Sequence, residues 1–385
     1  MKRKTIPLSV PNLKGNELKY VTEAIETEWV STGGLHINKF EQYIAEYVKT
    51  PNAVSCQNGT TGLHLALLLA GVCAEDIVIA PTLTFIAAVN PIRYLGAEPV
   101  FLDCDDSLCL DANSLEHYCS TECKFINGKL IDKSTNKHVK AVMVVHIFGN
   151  MANLEQIIPI AEKYNLKVIE DATEALGTYN KNKQFAGTIG VMGVYSFNGN
   201  KIITTGGGGM LVSQDVKLLQ RAKHLSTQAK SDEVNYIHDE IGYNYRMTNL
   251  QAAMGLAQME QLETFINIKI KNYQYYREYI EEIPHLRLLP FRDDIRANHW
   301  FYSLYIDDCF PLSHDQMIKE FYKHNIQTRP IWGLIHEQIP YRKFRSFNIN
   351  KAIDYHKRVV NIPCSTNLTN NNMDQVVDCI RNMVN

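Results

Sequence analysis

The sequence predicts an α/β protein, a mainly parallel sheet between helices followed by a smaller α+β C-terminal domain. Three observations carry this reading. A short strand at residues 53–55 passes through a glycine turn into an almost wholly apolar helix at 63–70. The same unit recurs where a strand at 77–80 precedes a helix through Phe85 to Tyr94, and alternation of this kind builds parallel sheets covered on both faces. The proline-free stretch from Thr248 to about Glu282 then reads as one long helix. It bridges a large domain, residues 1–250, to a small one, residues 251–385, on which the N-terminal segment is expected to pack.

Taken in order, residues 14–28 carry Leu18, Val21 and Ile25 at helical spacing, and residues 37–48 repeat the pattern with Ile37, Phe40 and Ile44. Ser31-Thr32-Gly33-Gly34 is the turn between them. After a strand at 99–102, Asn127-Gly128 predicts a two-residue hairpin between Lys124–Ile126 and Lys129–Ile131. The hairpin is polar and reads as a surface insertion rather than core. Residues 141–145 are a buried strand, 153–164 a helix, and 167–170 a strand ending on Asp171. Strands at 193–197 and 210–213 bracket Lys201 and the glycines Gly206 to Gly209. The C-terminal lobe holds a strand at 301–306 and helices at 314–323 and 373–383.

Composition excludes several classes. With 39 basic and 41 acidic residues among 385, no net field favours nucleic acid or an anionic membrane, so an anionic ligand must be met locally. The nine cysteines lack paired zinc spacing, since neither Cys104 with Cys109 nor Cys119 with Cys123 has a matching second pair. They read as free thiols, and no metal site is expected. Met1-Lys2-Arg3-Lys4 resembles the start of a leader, but Pro7, Pro11, Asn12 and Lys14 interrupt any apolar core. The longest apolar stretch, Leu63 to Val72, is too short to span a bilayer. A reduced cytoplasmic compartment is the simplest inference.

Four stretches meet the demands of pyridoxal phosphate, which needs an amine for its aldehyde, a carboxylate for its ring nitrogen, an aromatic face and a phosphate cradle. Lys201, in Ser196-Phe197-Asn198-Gly199-Asn200-Lys201 before the glycines, is the amine, because a desolvated lysine becomes a nucleophile and glycines allow close backbone approach. Gly59, Thr60 and Thr61 offer amides and hydroxyls at a helix start, with Ser196 a further hydroxyl. Asp171 lies at the carboxyl end of a buried strand, where open α/β sheets place ligands, and Glu174 follows three residues on. Phe85 supplies a ring. Each has an ordinary alternative: a solvated loop lysine, a threonine-rich helix cap, a strand-end aspartate capping its own turn, a core phenylalanine. His146 and Phe148 end the neighbouring strand and either line the same crevice or belong to the core. Asn244, Arg246 and Arg329 are candidates for meeting anions or are solvated loop residues, while Trp332 and His336 read from spacing as packing.

In their order these stretches resemble the pyridoxal-phosphate sugar-nucleotide aminotransferases of the DegT/DnrJ/StrS type. The resemblance rests on Trp29-Val30-Ser31-Thr32-Gly33, Asn58-Gly59-Thr60, Pro81 to Phe85, Glu170-Asp171-Ala172, Ser196 to Lys201 with the glycines, Gly242 to Met247, and Thr328-Arg329-Pro330. It implies a fold-type I transferase with a seven-stranded type of sheet, working as a homodimer in which each site is completed by the other subunit. Position by position it makes Lys201 the Schiff-base lysine, Asp171 the ring-nitrogen partner, Thr60, Thr61 and Ser196 the phosphate contacts, Phe85 the stacking ring, and Asn244 a phosphate contact reaching across the dimer. Glu174 departs from the glutamine or histidine of many relatives, which leaves its contact to the ring oxygen open. Thr32, Arg246, Arg329 and His336 are the substrate-binding candidates, and His336 is similar to a histidine lining the sugar-nucleotide site in some relatives.

Lysine in place of histidine at the Schiff-base position favours aminotransferases over sugar 3-dehydratases. The hairpin near Asn127, the Asn198-Gly199-Asn200 run and Leu225 to Lys230 resemble the branch that aminates position 4 of a 4-keto-6-deoxy-2-acetamido sugar nucleotide, as in bacillosamine and legionaminic acid pathways. Glutamate is the implied amino donor. The alternatives are a cofactor-binding regulator without catalysis, an aminotransferase acting at position 3, and another fold-type I enzyme such as a lyase or desulfurase.

Overall fold

The computed structural model describes residues 5–384, and the basic run Met1 to Lys4 lies outside them. In the large sheet region the strands are β1 (Asn52–Cys56), β2 (Asp76–Pro81), β3 (Glu98–Leu102), β4 (Cys123–Ile126), β5 (Lys129–Asp132), β6 (His138–Val145), β7 (Lys167–Asp171), β8 (Tyr179–Asn180), β9 (Met192–Ser196) and β10 (Gly209–Ser213). The main path runs β1-β10-β9-β7-β6-β2-β3. Within these seven strands only β10 runs against the others. The sequence cause is plain in β6 and β7, where Val139, Ala141 to Val145, Val168 and Ile169 are buried, a near-continuous apolar run suited to a strand covered on both faces.

The helices on this sheet begin with α1 (Glu17–Glu26), α2 (Leu35–Val48) and α3 (Gly59–Leu69). Helix α2 buries Ile37, Phe40 and Ile44, the residues that defined its period. Helix α1 forms, but with the opposite face inward: Glu17 and Ala24 are buried while Leu18 and Ile25 face out. Helix α3 is apolar almost all round and is buried over Leu63 to Leu67, as a helix wedged between layers must be.

Three expectations are corrected. The stretch from Phe85 to Tyr94 is a short 3₁₀ turn, Ile86–Ala88, and then α4 (Asn90–Tyr94) opening on Pro91, because proline suits a first turn and not a helix interior. The β4–β5 hairpin turns at Asn127-Gly128 with an exposed tip, as expected, but it is more than a surface insertion: Leu130 is buried, and Leu130 and Ile131 pair with Val139 and His138, which extends the sheet to nine strands. After α5 (Ala112–Thr121), α6 (Leu154–Lys163) and α7 (Val216–Ser226), the expected single long helix is two, α8 (Asn249–Met259) and α9 (Leu262–Ile280). The break at Gln261, whose φ is −111°, needs no proline. At that break buried Glu17 accepts from Gln258 Nε2 at 2.6 Å and Gln261 Nε2 at 3.1 Å, which ties α1 to the junction.

Two further hairpin strands, β11 (Lys230–Asp232) and β12 (Ile237–His238), precede α8. Beyond α9, β13 (Leu286–Leu288), β14 (Ile295–Arg296), β15 (Tyr302–Ile306), β16 (Arg329–Pro330) and β17 (Val359–Ile362) follow, of which four form an antiparallel sheet in the order β13-β15-β17-β16, while β14 pairs with β8. The N-terminal segment lies along these later residues: Ile6 donates to the Asn325 carbonyl at 2.9 Å and Cys364 to the Leu8 carbonyl at 2.8 Å. All nine cysteines are free thiols. No helix of the described residues is long and apolar enough to cross a membrane.

Strands β2, β6, β7 and β9 end at the same edge of the sheet, so the segments after Pro81, Val145, Asp171 and Ser196 converge there. Gly193 in β9 helps set this register. A Cβ at that position would lie 1.9 Å from the Gly187 carbonyl oxygen, a backbone atom that cannot rotate away. Gly193→Ala is therefore expected to destabilise the fold by about 1–3 kcal/mol or more, read from denaturant unfolding, and an unchanged midpoint would show that the strand has room there.

Candidate active site

The chain after each strand is shaped by local bonds that leave functional groups facing one cleft. Past β1, Asn58 caps α3: its Oδ1 accepts from the Thr61 amide at 2.9 Å, and its own amide donates to Thr61 Oγ1 at 3.3 Å. That closes a capping box and commits the Thr61 hydroxyl, which also donates to the Asn58 carbonyl at 2.8 Å. Thr60, one residue earlier, is left at the open end of the helix, where amides lack intrahelical partners. Past β9, the Lys201 amide donates to the Asn198 carbonyl at 2.8 Å, a tight turn that swings the lysine side chain back over the strand ends.

The cleft encloses about 370 Å³ and is lined by Gly59, Thr60, Phe85, Asp171, Glu174, Ser196 and Lys201, among others. Lys201 Nζ lies 3.3 Å from Glu174 Oε1 and 4.1 Å from the centroid of the Trp300 ring. Glu174 Oε2 accepts from the Phe148 amide at 2.8 Å, so both its oxygens are engaged. Asp171 Oδ1 accepts from the Thr173 amide at 3.1 Å. Burial pushes both carboxyls above their ordinary range, and Lys201 pulls each part of the way back. Behind Asp171, His146 is fully buried: its Nδ1 accepts from the Ala152 amide at 3.1 Å and its Nε2 faces Glu170 at 2.9 Å. It belongs to the support of the site and not to its surface.

Other sequence candidates stand apart from this lining. Asn244 is exposed, and its Oδ1 accepts from Arg246 at 3.1 and 3.2 Å. Arg329 is exposed and donates to the carbonyl of Thr328 at 2.9 Å. Thr32 sits half-buried in the loop between α1 and α2. His336 Nδ1 lies 2.6 Å from Thr82 Oγ1, just behind the Phe85 segment. Conversely, Trp300, Phe301 and Trp332 line the cleft, although nothing in the sequence marks the first two as site residues and the spacing of Trp332 reads as packing. They come from loops around β15 and β16, and no spacing rule joins an aromatic there to a lysine a hundred residues earlier.

The donor set fits pyridoxal phosphate. An amine and a carboxylate share one cleft with an aromatic wall, and a helix start offers Thr60 to an anion. The approach is narrow by construction: a Cβ at Gly59 would come 3.0 Å from both Ser196 Cβ and Thr173 Cγ2. Without a cation beside it, ionised Asp171 is a burden on the fold. Its raised pKa means that the folded state favours the protonated form, so stability is lost as pH rises from the ordinary carboxyl range. Asp171→Asn is therefore expected to raise the midpoint of the cofactor-free protein at neutral pH, with the gain vanishing below about pH 4, while weakening cofactor retention. A lower neutral midpoint in the variant would contradict this.

Known proteins resemble this chain along nearly its whole length. The sequence profile described as the DegT/DnrJ/EryC1/StrS aminotransferase family matches residues 11–381. A GDP-perosamine synthase of Escherichia coli O157:H7 is 37% identical over 98% of this chain and 98% of its own. A UDP-4-amino-4,6-dideoxy-N-acetyl-beta-L-altrosamine transaminase of Campylobacter jejuni subsp. jejuni serotype O:23/36 (strain 81-176) is 26% identical over 93% and 92%. Among solved structures, the aminotransferase TlmJ of Streptoalloteichus hindustanus superposes with a TM-score of 0.88 at 25% identity, covering 98% of each chain. The chain thus belongs to the DegT/DnrJ/EryC1/StrS aminotransferase family, whose enzymes use pyridoxal phosphate to aminate sugars.

Proposed function

We propose that the protein moves the amino group of glutamate to carbon 4 of a 4-keto-6-deoxy sugar nucleotide, a 2-acetamido sugar among the acceptors, releasing 2-oxoglutarate. The observation that carries the reading is the nearly buried Lys201 amine beside Glu174, in one cleft with Asp171. Bound there, pyridoxal phosphate supplies an aldehyde that exchanges amines and a ring that takes up an electron pair. Lys201 holds the cofactor at rest. Once displaced, its Nζ is the general base that removes the proton from the amine-bearing carbon of glutamate, and the general acid that delivers a proton to carbon 4 of the sugar. Asp171 would hold the ring nitrogen in its protonated form, since the desolvation that penalises a lone carboxylate strengthens its pairing with a cation. Thr60, Gly59 and Ser196 would hold the phosphate and Phe85 the ring face, while Glu174, 3.3 Å from Lys201 Nζ, would keep the freed amine in place.

A homodimer completes this reading. Leu18, Ile25 and Trp29 form an exposed apolar stretch near the N-terminus, the kind of surface that a subunit contact buries. Asn244 and Arg246, paired with each other outside their own cleft, would serve the neighbour's. A GDP-linked acceptor is the second reading. Three GDP-perosamine synthases are 33 to 37% identical to this chain, against 26% for two UDP-4-amino-4,6-dideoxy-N-acetyl-beta-L-altrosamine transaminases.

The test is a panel of 4-keto-6-deoxy sugars linked to UDP, GDP and dTDP, with and without a 2-acetamido group, each incubated with glutamate and read by mass and NMR. Amine at carbon 4 is the expected product, and amine at carbon 3 or no product across the panel would contradict it. Lys201→Ala is expected to lower turnover by about 10³-fold or more while retaining some cofactor. Glutamate alone is expected to shift the cofactor's absorbance, which a non-catalytic binder would leave unchanged.

A further inference from the structure

Trp300 uses every hydrogen-bonding group it has. Its amide donates to Asn298 Oδ1 at 2.9 Å, its carbonyl accepts from Lys269 Nζ at 2.7 Å, and its indole Nε1 donates to the Asn200 carbonyl at 2.7 Å. The ring lies flat on Phe301, centroids 4.1 Å apart and planes 7° from parallel. Its face meets Lys201 Nζ at 4.1 Å. A side chain fixed at both ends and on its face has one orientation, and here that orientation is set against an amine.

The supports behind it are costly ones. Lys269 is fully enclosed and directs its ammonium at two carbonyls, those of Trp300 and Cys364, each at 2.7 Å. Burying a cation against neutral acceptors is expensive, and desolvation lowers its pKa accordingly. Asn298, also fully buried, donates from Nδ2 to the carbonyls of Glu174 and Leu176, both at 2.9 Å. His299, between them, takes a left-handed φ of 53°. One loop therefore ties together the segment that bears Glu174, the peptide immediately before Lys201, and helix α9.

We infer that Trp300 is a positioning residue for the Lys201 amine, pinning the Asn200 peptide with its indole N–H and holding the ammonium between its ring face and the Glu174 carboxylate. A cation over an indole face is attracted by the ring's quadrupole and gains more as water is excluded. The lysine stem has four rotatable bonds and follows a glycine-bearing turn, so without this wall Nζ samples positions away from the cofactor's aldehyde. The indole confines it whenever turnover sets it free. The proposal rests on Lys201 being the amine that takes the cofactor.

The test uses the full-length protein stripped of cofactor and reloaded with pyridoxal phosphate, comparing wild type, Trp300→Phe and Trp300→Leu. The rate of cofactor capture is followed by absorbance, its location by borohydride reduction and peptide mass, and kcat and KM as the limiting rate and half-saturating glutamate concentration of the single-turnover reaction that leaves the amino group on the cofactor. Trp300→Leu is expected to capture cofactor about tenfold more slowly, with a similar fall in kcat and KM for glutamate within about twofold. Trp300→Phe, which keeps a ring face and lacks the donor, is expected to recover part of both losses. Should Trp300→Leu not fold, a deficit of about threefold or more in Trp300→Phe at an unchanged melting temperature supports the proposal. Capture and kcat within about twofold of wild type in every folded variant would overturn it, as would a parallel decline of kcat, KM and melting temperature, the mark of a merely structural role. A label on another lysine in the wild type overturns the reading of Lys201 and this proposal together. Lys201 labelled with unaffected Trp300 variants overturns this proposal alone.

Discussion

Two carboxyls and one amine are forced into the same cleft, and the rest of the site follows from that arrangement. Asp171 and Glu174 are both buried, and burial raises the cost of ionising either of them. Lys201 is the ammonium that relieves the pair, 3.3 Å from one of them. An arrangement of two acids and one base is short of one positive charge. A protonated ring nitrogen held against Asp171, as proposed, would supply it and offset the desolvation of that carboxylate.

The sheet makes this arrangement unavoidable. Parallel strands β6, β7 and β9 place Val145, Asp171 and Ser196 at neighbouring carboxyl ends, so residues far apart in the chain share one edge. The turn after β9 folds Lys201 back across that edge, and the Asn58 cap leaves Thr60 open beside it. Behind them the fully buried Glu170 accepts from the Gly187 and Ile189 amides, both at 2.7 Å, as well as facing His146. The floor under Asp171 is thus rigid. What the sheet does not supply is the wall over Lys201, and that comes from the loop before β15.

The fold was legible because its signals are local and periodic. Strand, glycine turn and apolar helix recur with little interruption up to Ser213, and Asp171 at a strand end needed only the alternation to be placed. Helix α1 shows where periodicity stops helping. Leu18 and Ile25 mark a helix correctly, yet a stripe carries no statement of whether its own core or another surface lies opposite. The break between α8 and α9 was invisible for a related reason: no proline or glycine marks Gln261, and the contact made there, with Glu17, comes from more than two hundred residues away. Thr60 and Thr61 read alike in sequence, and only the capping geometry separates an open hydroxyl from a committed one. Trp300 escaped because its partners, Asn200, Asn298 and Lys269, come together through tertiary contact alone.

Chemistry follows from the cleft more directly than substrate choice does. The amine, the acid and the helix start constrain what happens at one carbon, whereas the nucleotide is met by loops and by surfaces that a single chain leaves exposed. The account depends above all on Lys201 and Asp171 gripping opposite sides of one ring. A crystal structure of the protein grown with pyridoxal phosphate tests this most directly. The account predicts the cofactor joined to Lys201 Nζ, its ring nitrogen against Asp171 and its phosphate at Gly59 and Thr60. A cofactor bound elsewhere, or one in this cleft with its ring nitrogen turned away from Asp171, would contradict it.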